Sequence, residues 1–188
     1  MENDEEFADE LLRQAIGPDF DNVETAVVKT TDALERYRRL SESSRDGRLD
    51  AKIALALQYL AALHAHLDQN VEAERECAKA LEIFRRLEKD SPGEFEDVIA
   101  HSLCILARSH LDLAEADKNY KDKAVREYSE ALEIYRRLAA KNPEEFEREV
   151  ARLLRRLSEL HHELGQHDDG WREYAESAKL FRRLGIEE

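Results

Sequence analysis

Proline, glycine and cysteine are scarce in this chain, with three, six and two residues out of 188. So few turn formers leave little material for hairpins, sheet edges or glycine-rich phosphate loops, and an all-helical class is expected. Long apolar runs are missing as well. No stretch of about eighteen uncharged apolar residues occurs, and the segment Met1-Glu-Asn-Asp-Glu-Glu6 is acidic where a secretory signal is basic, so a soluble, cytoplasmic protein is predicted. Cys77 and Cys104 lack Cys-x-x-Cys spacing and are expected to be free thiols, packed as small hydrophobes in a reducing compartment. Positive charge is also short, with 29 Lys and Arg against 43 Asp and Glu and a net charge of −14. Residues 1–24 hold nine acids against Arg13 alone, which puts −8 there and leaves −6 for the rest. That balance argues against a nucleic-acid partner, since phosphate binding needs concentrated Lys and Arg. As a partner a basic protein segment fits better than nucleic acid, but solubilisation of the acidic end is the favoured reading.

What the chain does have is one octet four times over: Ala33-Leu-Glu-Arg-Tyr-Arg-Arg-Leu40, Ala80-Leu-Glu-Ile-Phe-Arg-Arg-Leu87, Ala131-Leu-Glu-Ile-Tyr-Arg-Arg-Leu138 and the weaker Ser177-Ala-Lys-Leu-Phe-Arg-Arg-Leu184. The intervals are 80−33 = 47, 131−80 = 51 and 177−131 = 46 residues, so a structural unit of nearly fixed length is repeated. Apolar residues at i, i+1, i+4 and i+7 line one face of a helix. On the other side Glu35 and Arg39, Glu82 and Arg86, and Glu133 and Arg137 stand at i and i+4, where each pair is expected to add about 0.2–0.5 kcal/mol of helix stability. Lys179 replaces the acid in the last copy, which marks a degenerate terminal repeat.

Caps and periodicity predict a short helix near 4–16, a stop at Gly17-Pro18, and long helices near 21–42, 47–67, 70–89, 92–115, 120–141, 143–164 and 168–184. Ser91-Pro92-Gly93-Glu94 and Asn142-Pro143-Glu144-Glu145 look like equivalent starts, each with a capping side chain, proline at the first helical position and Glu at the third. Short connections force sequential helices antiparallel. The expected architecture is therefore a right-handed superhelical α-solenoid of helical hairpins, about three and a half repeats, in a single domain over 1–188. Its parts are an acidic segment 1–20 and repeats near 21–42, 47–89, 92–141 and 143–184.

Residues between the octets carry a family resemblance. From Ser158 the chain has Gly165, His167, Gly170, Tyr174 and Ser177, and from Ala61 it has Asp68, Asn70, Ala73, Cys77 and Ala80, at the same offsets of 7, 9, 12, 16 and 19. This pattern resembles the tetratricopeptide repeat (TPR), with about 47 residues per copy where the standard repeat has 34. The copy from Ala107 carries five extra residues around Asp117-Lys-Asn-Tyr120, and the second helix of each pair runs about two turns past the standard proline. Extended arrays of this kind are found in bacterial and archaeal proteins.

The resemblance implies a non-catalytic scaffold that binds a peptide or protein segment in a concave groove lined by the first helix of each pair. Carried over position by position, the groove residues are Leu55, Gln58, Ala62, Ala65 and His66; His101, Cys104, Arg108, Leu111 and Asp112; and Arg152, Arg155, Glu159, His162 and Glu163. Arg108, Arg152 and Arg155 form an unpaired basic cluster on this reading and are expected to grip acidic groups. The Lys and Asn clamp of the chaperone-binding members is not reproduced. Two placements stand open for the amino-terminal helix, which either lies in the groove and blocks it or, the favoured alternative, caps the first long helix.

His64, His110 and His161 share one repeat position about 10 Å apart, too far for a common zinc ion, and are expected to pack. His161-His-Glu-Leu-Gly-Gln-His167 lacks the i, i+4 histidine pair of a zincin, because Gly165 holds the second ligand's place. No nucleophile elbow or phosphate loop appears, so no enzyme, cofactor or metal is expected. The competing class is a structural or self-assembling array, engineered or part of a longer solenoid. Trp171, Tyr174, Leu180 and Phe181 support it, because they give the last helix an apolar face with no polar cap and so predict a homodimer through the C-terminal helix.

Overall fold

A computed structural model describes residues 2–17, 22–43, 47–114, 117 and 119–186, and among them it contains eight helices and no strand. The chain divides into two compact units, Met1–Phe95 and Glu96–Glu188. In the first, α1 (Glu2–Ile16), α2 (Val23–Ser43), α3 (Gly47–His66) and α4 (Asn70–Asp90) pack each on the next. In the second, α5 (Glu96–Leu113), α6 (Asn119–Lys141), α7 (Pro143–Glu163) and α8 (His167–Arg183) do the same. The fold is all-α and of the helical-repeat, α-solenoid class. The amino-terminal helix α1 packs on α2, and Lys52 of α3 reaches its Glu5 and Asp9.

Each octet contributes its aromatic to a core: Tyr37 and Phe84 are 1% exposed and Tyr135 7%. Small residues allow the close approach of helices. Ala8, Ala54, Ala100 and Ala151, one on the first helix of each hairpin, have no exposed surface, and the Ser177 hydroxyl donates to the Ala151 carbonyl at 2.8 Å. Three of the four hairpins, α3–α4, α5–α6 and α7–α8, also repeat two polar ties between their helices. The last arginine of the octet reaches an acid in Arg86–Asp50 (2.7 Å), Arg137–Glu96 (2.8 Å) and Arg183–Glu147 (2.6 Å). The repeated histidine meets a glutamate in His64–Glu76 (2.6 Å), His110–Glu127 (2.7 Å) and His161–Glu173 (2.7 Å).

Those arginine ties correct the expected pairing within the octets. Arg86 and Arg137 leave Glu82 and Glu133 for acids on the neighbouring helix, and of the three predicted pairs the described contacts keep Arg39 with Glu35, at 3.8 Å. A carboxylate near a partly covered surface holds a guanidinium better than one on an open helix flank. The start of α5 is corrected too: Ser91 to Phe95 form a turn and the helix begins at Glu96. Gly93 has φ +91°, a left-handed conformation, and the Glu88 carboxylate accepts the N–H groups of Gly93 (2.5 Å) and Phe95 (2.8 Å) that an earlier helix start would have turned inward. At Pro143 the helix starts as predicted, but the Asn142 amide donates to Glu145 at 2.5 Å instead of accepting a backbone N–H. Pro18 and residues 115, 116 and 118 of the insertion lie outside the described residues.

The turn from α3 to α4 contains Asp68 at φ +58°, where the turn from α7 to α8 has Gly165 at +76°. Both close with the same bond, from Gln69 to the His64 carbonyl (2.9 Å) and from Gln166 to the His161 carbonyl (2.7 Å). A Cβ in this conformation costs about 1–2 kcal/mol, only partly offset by the chain entropy that glycine loses. Asp68→Gly is thus expected to raise stability by about 0.5–1 kcal/mol in urea unfolding, and a decrease would show that the Asp68 side chain stabilises the turn.

Candidate binding groove

In the second unit α6 lies between α5 and α7 and turns Tyr128 and Tyr135, seven residues apart, toward both. One wall is the α5 row Asp97, His101, Cys104, Arg108 and Asp112, spaced by three or four residues. The other is the α7 row Glu149, Arg152 and Arg156. The two rows meet electrostatically over the tyrosines. Burial is the main reason that the Tyr128 hydroxyl is pushed up to about 12; Cys104 and Asp112 add to the rise, while Arg156 and Arg108 oppose it. Burial also lifts Tyr135, followed by Cys104, Glu149 and Asp97. The Cys104 thiol, half-buried and free, goes up to about 12 by burial and then by Glu149, which makes it inert at neutral pH. The His101 ring has an exposed edge, yet neighbouring protein holds its pKa below the usual imidazole range against the pull of Glu149 and Asp97.

The first unit carries the same geometry with a different filling. Counting from the buried alanines, His101 and Glu149 correspond to Asp9 and Lys52. Lys52 bridges α3 to α1 through Asp9 (2.6 Å) and Glu5 (2.8 Å), and the Tyr37 hydroxyl donates to Asp9 at 2.6 Å. Here ion pairs tie α3 to α1, whereas in the second unit the equivalent His101 feels the charge of Glu149, over tyrosines that are 5% and 7% exposed.

The predicted site residues fall into separate places. Gln58, Ala62 and His66 belong to α3 of the first unit; Gln58 is 3% exposed, so it sits below the surface, Ala62 is half-buried and His66 is exposed. His101, Arg108 and Asp112 stand exposed on α5. The arginines do not form the unpaired cluster that the sequence suggested. Arg152 is held by Glu149 at 2.9 Å, while Arg155 turns toward α8, stacking 5.0 Å from the Tyr174 ring with Glu159 at 3.8 Å. Glu159 also receives Arg156 at 3.1 Å. His162 folds back on the Ser158 carbonyl (2.7 Å) and packs on Trp171, with ring centroids 5.0 Å apart. The α7 arginine that acts on the Tyr128 hydroxyl is Arg156. Its i+4 spacing from Arg152 was the available signal, and family positions pointed instead to Arg155, one residue and about 100° away.

No family model matches the sequence, and no curated protein does either. Among solved structures, BtubC (BKLC) from P. vanneervenii aligns with a TM-score of 0.59 and 21% identity over 87% of this chain and 58% of that one. MamA aligns with a TM-score of 0.53 and 16% identity over 96% of this chain and 88% of that one. The fold is TPR-like. A de novo designed helical repeat protein, DHR64, aligns at a TM-score of 0.46 and 19% identity, over 98% and 94% of the two chains. The chain spans 58% of the length of BtubC, and the likeness is one of fold.

Proposed function

We propose that this chain is a non-catalytic interaction scaffold of the tetratricopeptide family whose α5–α7 groove takes a polypeptide segment carrying acidic groups. The observation behind this reading is the pair of exposed arginines on neighbouring faces, Arg108 on α5 and Arg156 on α7, both acting on the buried Tyr128 hydroxyl between them. Two guanidinium groups on neighbouring helices suit a carboxylate, which each can hold through paired hydrogen bonds. The acids Asp97, Asp112 and Glu149 alternate with them and favour a ligand of mixed charge over a polyanion such as nucleic acid, in keeping with the net charge of −14. Cys77 and Cys104, neither of them in a disulfide, support a cytoplasmic setting. Among the described residues no helix is long and apolar enough to cross a membrane.

The test is a peptide array of acidic, mixed and basic sequences probed with the intact chain and with an Arg108→Glu/Arg156→Glu variant whose fold is checked by circular dichroism. Acidic or mixed peptides should be retained, with affinity falling at least about tenfold in the variant, equal to 1.4 kcal/mol. Equal retention by both would move binding to another face. The second reading, a self-assembling array, draws on a separate surface, α8.

A further inference from the structure

We propose that the outer face of α8 binds a second copy of this chain, α8 against α8, antiparallel about a two-fold axis. The internal repeats show what this face is built for. Aligned on the octets, Tyr174, Ala178 and Phe181 of α8 correspond to Tyr128, Leu132 and Tyr135 of α6 and to Thr30, Leu34 and Tyr37 of α2. In α6, covered by α7, these are 5%, 6% and 7% exposed; in α2, covered by α3, they are 0%, 4% and 1%. On α8 Tyr174 is 37% exposed, Ala178 and Phe181 are half-buried, and Trp171, one turn earlier on the same ridge, is 62% exposed. A ridge with the spacing 171, 174, 178 and 181 is a helix-packing seam.

The rings on this seam are already ordered. Trp171 stands edge-on to His162 at 5.0 Å and to Tyr174 at 6.1 Å, and Arg155 covers the far side of Tyr174. Aromatic side chains fixed before contact lose little entropy on binding.

Charge selects the occupant and its direction. The first turn of α8 carries Asp168 and Asp169, and the last carries Arg182 and Arg183. Arg183 is engaged by Glu147 and Asp169 by Arg172, which leaves Asp168 and Arg182 for the contact. Antiparallel pairing sets Asp168 against the partner's Arg182, Trp171 against the partner's Phe181, and Tyr174 against the partner's Ala178, large against small. A parallel pair would oppose like charges. The outer face of α1 is no match for this seam, because Asn3, Glu10 and Gln14 occupy its packing positions and Arg36 lies 4.6 Å over its Phe7 ring. Closed dimers follow, and not head-to-tail filaments. One helix per copy offers less than the ~800 Å² a standard interface buries on each side, so the dimer is concentration-dependent, with a dissociation constant of roughly micromolar order.

Sedimentation velocity on the full chain from low micromolar to several hundred micromolar tests this. The mass should rise from 21.8 kDa toward twice that value. Trp171→Glu, at an exposed site that leaves the fold intact, should weaken the dimer more than tenfold. Asp168→Arg alone and Arg182→Asp alone should each weaken it, and the two together should restore it, which a parallel or head-to-tail contact would not allow. A constant monomer, a dimer indifferent to Trp171→Glu, or growth beyond two copies would each overturn the proposal. The groove variant Arg108→Glu/Arg156→Glu should leave the mass unchanged, so failure of one proposal is separable from failure of the other.

Discussion

Phe84→Ala is expected to lower the free energy of unfolding by about 3–5 kcal/mol, the range for truncating a fully buried aromatic in a close-packed interior. Phe84 is 1% exposed and its ring lies 6.1 Å from that of Phe95, so neighbouring side chains are fixed on several sides and cannot collapse into the void. The octet provides the control. Phe181 holds the same octet position but is half-buried, and Phe181→Ala should cost roughly 1 kcal/mol because much of its surface is already wet. Urea denaturation followed by circular dichroism measures both. Equal losses at the two sites would mean that the octet aromatic stabilises its own helix and not the packing between helices.

His110→Leu should cost about 3 kcal/mol despite adding apolar surface. The His110 side chain is 4% exposed and its Nδ1 lies 2.7 Å from a Glu127 oxygen that is itself largely covered. Removing the imidazole leaves a desolvated carboxylate without that partner, and the loss of one member of a buried polar pair is far more costly than the loss of both. The double variant His110→Leu/Glu127→Leu should accordingly recover most of the stability. Its ring also packs 5.1 Å from Tyr120, a contact that either leucine variant loses, so the comparison isolates the carboxylate. If the double variant were as unstable as the single one, shape at this site would matter more than charge. The equivalent His161–Glu173 pair is 13% and 19% exposed and should respond less, because water can take over the carboxylate.

Much of the fold was legible because it is local. A helix states its face every three or four residues, and Ala131, Leu132, Tyr135 and Leu138 announce theirs without reference to the rest of the chain. Repetition did the remainder: with Ala61 and Ser158 at one register, the turn at Asp68 and the turn at Gly165 followed. The start of α5 was not legible, since Ser91-Pro92-Gly93-Glu94 satisfies every local rule for a helix start, while Glu88, a residue of the preceding helix, captures the backbone donors of that segment. The pairing of Arg86 and Arg137 escaped for the same reason, as their acids stand 36 and 41 residues away.

Sequence alone determined the all-helical class and the repeat, because each rests on spacing within one or two turns or on composition. Tertiary structure decided which charged groups face one another. It tied α1 to α3 through Lys52 and Asp9, set Arg108 and Arg156 on either side of the buried Tyr128 and turned Arg155 away to Tyr174. A rotation of one residue moves a side chain about 100° around a helix, and only the neighbouring helices settle which side of that angle is a binding wall and which is a packed seam.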